Sequence, residues 1–297
     1  MRLTPLALPS LLLAASLASG AAGAAQSAFP PAPPPLTPAE QQAAQPKPAP
    51  AQAATAGIPA AAGHAAPAHA HTTPGLLEPH LKLSGAAIPG APRVALTFDA
   101  CSGKTDPRIL GVLVTNRIPA TIFATARWLR HNPDAVAVLK ANADLFEVEN
   151  HGAQHIPAVD KPATVYGIPA AGSPEAVAAE VKGGADALVA AGFPAPRWFR
   201  GATARYDRAA MDDIGRMGLR VAGYSLNGDD GATASAATAE KRLAAARDGA
   251  VVIAHINQPD RPAGEGIARG ILALKARGVT FVRLEDATET EIARGGN

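Results

Sequence analysis

The sequence has little of several things that would decide its class. It carries one cysteine, Cys101, in 297 residues, so no intramolecular disulfide can form. Aromatic residues make up 4% of the chain, which argues against a stacking platform for single-stranded nucleic acid. The formal net charge is +2 and no basic stripe follows a helical period, so nothing marks a nucleic-acid partner. The longest apolar run near the start, Leu6 to Leu17, is too short to cross a bilayer, which needs about 20 residues.

What is present divides the chain into three. Arg2, the apolar run, and the small residues Ala22, Gly23, Ala24 and Ala25 read as a secretory signal over 1–25, removed on export to the periplasm or beyond the cell, with no integral span left after cleavage. Residues 26–75 are almost entirely Ala, Pro, Gln, Gly and Thr. They lack the branched and aromatic side chains that offset ordering entropy, and read as a disordered linker with solvated His64, His69 and His71. From 76 to 297 short β-rich runs alternate with stretches of helical period.

The expected strands are 94–99, 120–124, 145–149, 198–200, 221–226, 251–255 and 280–284. Between them, Asp106-Pro107, Asn132-Pro133 and Ser173-Pro174 open helices, and Gly192 and Gly278 end two of them. Seven strands alternating with helices pair in parallel, as a doubly wound sheet or a barrel. Asp99, His151, Arg200, Asn227 and His255 each fall at or just past the C-terminal end of a different strand. That distribution favours a distorted (β/α)7-type barrel, whose chemistry gathers on that face, over an open sheet with one switch point.

Three groups of residues carry chemistry. Thr97-Phe98-Asp99 ends an apolar strand in an acid before the Gly-containing turn Ala100-Cys101-Ser102-Gly103; such an acid can cap the turn or act in a site. His151 and His155, four apart at a strand end, can converge on a first-row metal ion if the chain turns between them. Arg200, the Asn227-Gly228-Asp229-Asp230 turn, and His255 after an apolar strand supply a carboxylate clamp and an acid to orient an imidazole. Trp128, Trp198 and Tyr206 are the aromatics near strand ends available for stacking on a ligand.

Read in order from Val94 to Asp286, these segments resemble the motif series of the polysaccharide deacetylase (NodB-like, carbohydrate esterase 4) family. Val94-Ala95-Leu96-Thr97-Phe98-Asp99 resembles the first motif and His151 with His155 the second. Phe199-Arg200 followed by Tyr206-Asp207 resembles the third, Asn227 to Asp230 the fourth, and Ile253-Ala254-His255 the fifth. The resemblance implies metal-assisted hydrolysis of an N- or O-acetyl group on an envelope or extracellular polysaccharide, peptidoglycan or exopolysaccharide. It implies Asp99 as general base, His255 as general acid, and His151 and His155 as metal ligands. Arg200 would hold Asp99, and Asp230 would orient His255 and keep it protonated. The implied cofactor is a divalent ion, zinc first, with cobalt, nickel and manganese as alternatives.

The sequence departs from the family pattern at four places. Ala100 stands where a second Asp would bind metal, Gly152 replaces a hydroxyl residue, Ala202 a proline, and Asn227 an acid. Cys101 is a candidate replacement ligand, but a continuing strand would direct it away, and a buried structural thiol is the expectation unless a turn brings it back. The competing readings are a non-catalytic glycan-binding module of the same fold and a hydrolase of small non-peptide amides.

Overall fold

The structure, a computed structural model, describes residues 75–84 and 92–286. The expected signal and nearly all of the expected linker lie outside these residues. Among the described residues, no helix is long and apolar enough to cross a membrane.

A curled parallel sheet forms the centre, in the order β7-β6-β3-β2-β1-β9-β8. Its strands are β1 (Arg93–Ala100), β2 (Ala120–Ala124), β3 (Phe146–Asn150), β6 (Trp198–Phe199), β7 (Arg220–Val221), β8 (Leu226–Asn227) and β9 (Ala250–His255), with β10 (Thr280–Val282) pairing beside the start of β1. A two-stranded hairpin, β4 (Thr164–Val165) and β5 (Ile168–Pro169), lies outside it. The helices are α1 (Pro107–Thr115), α2 (Ala126–His131), α3 (Pro133–Ala141), α4 (Pro174–Ala190), α5 (Arg208–Arg216), α6 (Ala236–Ala244) and α7 (Ala263–Ala276). This is the expected distorted barrel, with one strand drawn differently. The run expected over 221–226 is two short strands, because Ala222 N–H still bonds Phe199 on β6 whereas Ser225 N–H bonds Val251 on β9. The sheet's two edge strands are therefore joined through residues 222–225, and the curl follows from that handover.

The two-residue period of β1 sorts its side chains into two cores. Val94, Leu96, Phe98 and Ala100 pack outward with Ile109, Leu113, Ile267 and Ile271 of the helix layer. Ala95 faces inward with Phe123, Trp198, Ala222 and Val251, and Thr97 and Asp99 continue that inner face. Leu81, from the segment before β1, and Leu284, after β10, complete the inner core. Leu77 and Leu81 donate to Tyr206 and Tyr224 O and Leu83 to Gly249 O, so residues 77–83 run along the handover and support it.

Local signals set the helix starts. Asp106 accepts Arg108 N–H ahead of Pro107, and Ser173 accepts Ala176 N–H ahead of Pro174. Asn132 precedes Pro133 but does not cap α3. Its side chain instead accepts Thr105 N–H and donates to Gly103 O, tying down the turn after β1.

Candidate active site

Asp99, at the end of the inner face of β1, is 4% exposed, and its partner Arg200 is fully buried. Arg200 Nη1 donates to Asp99 Oδ1 at 2.9 Å and to Thr97 Oγ1 at 2.8 Å. Its Nη2 donates to Gly223 O at 3.0 Å, and the guanidinium lies 4.2 Å over the Phe123 ring. Burial alone would raise the Asp99 carboxyl, but Arg200, then His151 and His255, outweigh it and hold the group below the ordinary carboxylate value. Oδ1 is occupied by the guanidinium; Oδ2 lies 3.9 Å from His151 Nε2.

His151 follows β3 directly. Its Nδ1 is 2.5 Å from Arg200 O, and because a carbonyl only accepts, Nδ1 carries the hydrogen and Nε2 presents its lone pair. Nε2 is 3.4 Å from Cys101 Sγ. The strand ends at Ala100, and the turn that follows brings Cys101 inward. Thr125 Oγ1 donates to Cys101 O at 2.5 Å and the Asn257 amide donates to Ser102 O, so the turn is held from both sides.

Cys101 Sγ and one ring nitrogen each of His151 and His155 lie within 4.8 Å of one another. Burial would raise the Cys101 thiol, but His151, with contributions from His155 and His255, holds it well below the ordinary thiol value. Burial disfavours a charged His151, yet Asp99 and Cys101 raise it. A thiolate and two imidazoles fit a divalent transition metal, zinc and cobalt better than magnesium.

His255 ends β9. Its Nδ1 is 3.0 Å from Asp229 Oδ1, and its backbone N–H donates to Asp229 Oδ2 at 2.6 Å. Burial works against the imidazolium, but Asp229 holds its pKa well above the ordinary histidine value.

Two expectations are corrected here. Asp229, fully buried, meets His255; Asp230 does not. Asn227 Oδ1 accepts the amides of Asp229 and Asp230, making a turn in which Asp230 has φ 51° and faces outward to Arg242 at 2.7 Å. The sequence signal was Asn227 itself, an Asx-turn former two residues before the acid that points inward. The aromatics near the strand ends also do not serve as sugar platforms. Trp128, Trp198 and Tyr206 are all buried, and Tyr206 Oη accepts Gly201 N–H.

Positions 100 and 101 point to opposite sides of the sheet, and Cys101 is buried as expected. Ala100 belongs to the outer core, and the turn after β1 places the buried Cys101 sulfur beside the two histidines.

The polysaccharide deacetylase family model matches residues 87–222. Among solved structures the fold is similar to a peptidoglycan N-acetylglucosamine deacetylase, with 20% identity, TM-score 0.56, and coverage of 73% of this chain and 96% of the other. It is similar to a family 4 acetyl xylan esterase from Clostridium thermocellum in complex with a cobalt ion, with 23% identity, TM-score 0.52, and coverage of 65% and 89%. It is also similar to a carbohydrate esterase family 4 pseudoenzyme from Bacillus anthracis, with 20% identity, TM-score 0.53, and coverage of 67% and 66%. Among curated proteins none matches the sequence. The polysaccharide deacetylase model thus matches a segment of just under half of the chain, and the motif residues it spans are gathered on one face of a curled parallel sheet.

Proposed function

We propose that this chain is a metal-dependent hydrolase that removes acetyl groups from an N-acetylated or O-acetylated envelope or extracellular polysaccharide after export. The observation that carries the reading is the convergence of three groups: the Arg200-clamped Asp99, the Cys101–His151–His155 donor set, and the Asp229–His255 pair.

Cys101, His151 and His155 would hold the ion, and a divalent ion so held acidifies water and polarises an acetyl carbonyl. Asp99 accepts a proton at Oδ2, the oxygen that Arg200 leaves unbonded. His255, held protonated by Asp229 through Nδ1, donates from Nε2 to the leaving nitrogen or oxygen. Arg200 keeps Asp99 ionised without taking the oxygen that must receive the proton.

The test is acetate release from acetylated chito-oligosaccharides and from peptidoglycan by protein loaded with zinc or cobalt. Asp99→Asn is expected to lower release by about 100-fold or more with the fold intact. Cys101→Ala is expected to lose bound metal, whereas Ala100→Asp, placed in the outer core, leaves metal affinity no tighter. Binding of these glycans without acetate release under every metal would replace the proposal with a glycan-binding module.

A further inference from the structure

We propose that Glu180, on α4, is the positioning residue of the metal site: its carboxylate, seated in a cradle of consecutive backbone amides, fixes the loop that presents His155. This inference rests on the metal reading above.

Glu180 is 4% exposed and faces the loop that follows His151. Its Oε1 accepts His155 N–H at 2.8 Å and Ile156 N–H at 3.1 Å, and both oxygens lie 3.0 Å from Gln154 N. The Glu180 backbone carbonyl accepts Ala153 N–H at 3.0 Å. Four successive amides, 153 to 156, therefore turn toward one residue. Successive N–H groups arranged in this way make an anion-binding concavity, and here the anion is supplied by the protein's own helix. Hydrogen bonds to an ionised acceptor are roughly twice as strong as neutral ones.

The loop needs such an anchor. His155 has φ 69°, a left-handed conformation that is unfavourable for a non-glycine residue and persists only when its surroundings impose it. Without the anchor the same five-residue span from His151 has no reason to return the second imidazole to Cys101. The identity of residue 152 follows from the same geometry. Gly152 has φ 89°, and a Cβ there would overlap Glu180 Oε1, so the carboxylate occupies the space a side chain at 152 would take. The helix is drawn close enough to do this at Gly184, where a Cβ would overlap Asn150 Oδ1 and the Gly152 backbone. The missing hydroxyl at 152 and the buried acid at 180 are thus two halves of one arrangement.

The experiment titrates metal-depleted full-length protein with cobalt and with zinc, reading affinity by competition and ligand geometry from the cobalt absorption spectrum. The wild type binds. Glu180→Gln, which keeps one acceptor oxygen, is expected to bind about 10-fold more weakly and Glu180→Ala about 100-fold, each with an altered cobalt spectrum at saturation. A merely structural role would leave the spectrum of the folded, saturated variant unchanged. Unchanged affinity and spectrum in a folded Glu180→Gln protein overturn the proposal while the metal reading stands. A wild type that binds neither metal overturns the metal reading, and this inference with it. If neither variant folds, amide exchange in the wild type decides. Protection of residues 154–156 equal to that of β3 supports the anchor, and rapid exchange there overturns it.

Discussion

Asp99 and the pair Glu147 and Glu149 are all buried carboxylates on the inner face of the same sheet, yet their surroundings push their pKa values in opposite directions. Asp99 is met by the Arg200 guanidinium and stays below the ordinary carboxylate value. Glu147 and Glu149, where β3 meets the start of β6, have each other. Glu149 Oε2 accepts the amides of Arg197 and Trp198, and Glu147 Oε2 accepts Thr121 Oγ1 and Glu285 N–H. Burial, reinforced by the neighbouring acid and only partly offset by those amides, pushes Glu149 up to about 8, and burial raises Glu147 too. Backbone amides alone do not keep a buried acid ionised beside a second acid; a side-chain cation does. The proposed base is the compensated carboxylate, which its guanidinium partner holds as an anion.

The most forceful way to break this contrast is Arg200→Met. It leaves Asp99 buried without its cation, a change that costs about 3–5 kcal/mol where a buried ion pair loses one partner. The expected outcome in denaturant unfolding is a loss of that size. The double variant Arg200→Met/Asp99→Asn should recover a large part of it, because no orphaned charge remains. Recovery of none of the loss would mean that Arg200 stabilises the fold chiefly through Gly223, Thr97 and Phe123, not through the carboxylate.

A smaller effect separates Asp229 from Asp230. Asp229→Asn removes the charge that holds His255 protonated, so the pH range over which His255 stays charged should contract downward. Because the proposed mechanism uses His255 as a protonated acid, activity on the alkaline side should fall at lower pH than in the wild type. Asp230→Asn, which touches only an exposed ion pair with Arg242, should leave the profile in place. Equal shifts in both variants would contradict the assignment of the inward acid.

These contrasts also mark what the sequence makes legible. Strand-end placement of Asp99, His151, Arg200 and His255 follows from the alternation of short β-runs and helices, and the structure brings these residues to one face. The failures share a physical cause. The turns after β1 and β8 decide which of two adjacent side chains enters the site, and their geometry depends on side-chain partners, distant in sequence for the first turn and two or three residues away for the second. Thr125 and Asn257 set Cys101, and Asn227 sets Asp229. The split of the strand at 222–225 arises likewise from a change of hydrogen-bonding neighbour that no local pattern encodes. Glu180 was invisible for the opposite reason. On a helix whose buried face is otherwise Val177, Val181, Gly184 and Leu188, an acid at one helical step reads as a break in the pattern until the loop amides facing it are known.

The finest test of the comparison is Glu147→Gln. The unfolded chain releases the protons of both glutamates near the ordinary carboxylate value, while the folded chain retains protons to higher pH, Glu149 up to about 8. The folded state therefore binds more protons across that window, and stability falls as pH rises through it, levelling off above about 8. The slope is up to about 1.4 kcal/mol per pH unit for each proton involved. Glutamine at 147 keeps an acceptor for Thr121 Oγ1 and Glu285 N–H and adds a donor toward Glu149, removing one acid and easing the other's ionisation. Melting temperatures measured from pH 5 to pH 8 should accordingly decline less in Glu147→Gln than in the wild type. A decline of the same steepness would show that the pair carries no shared proton, and that the contrast with Asp99 lies in burial alone.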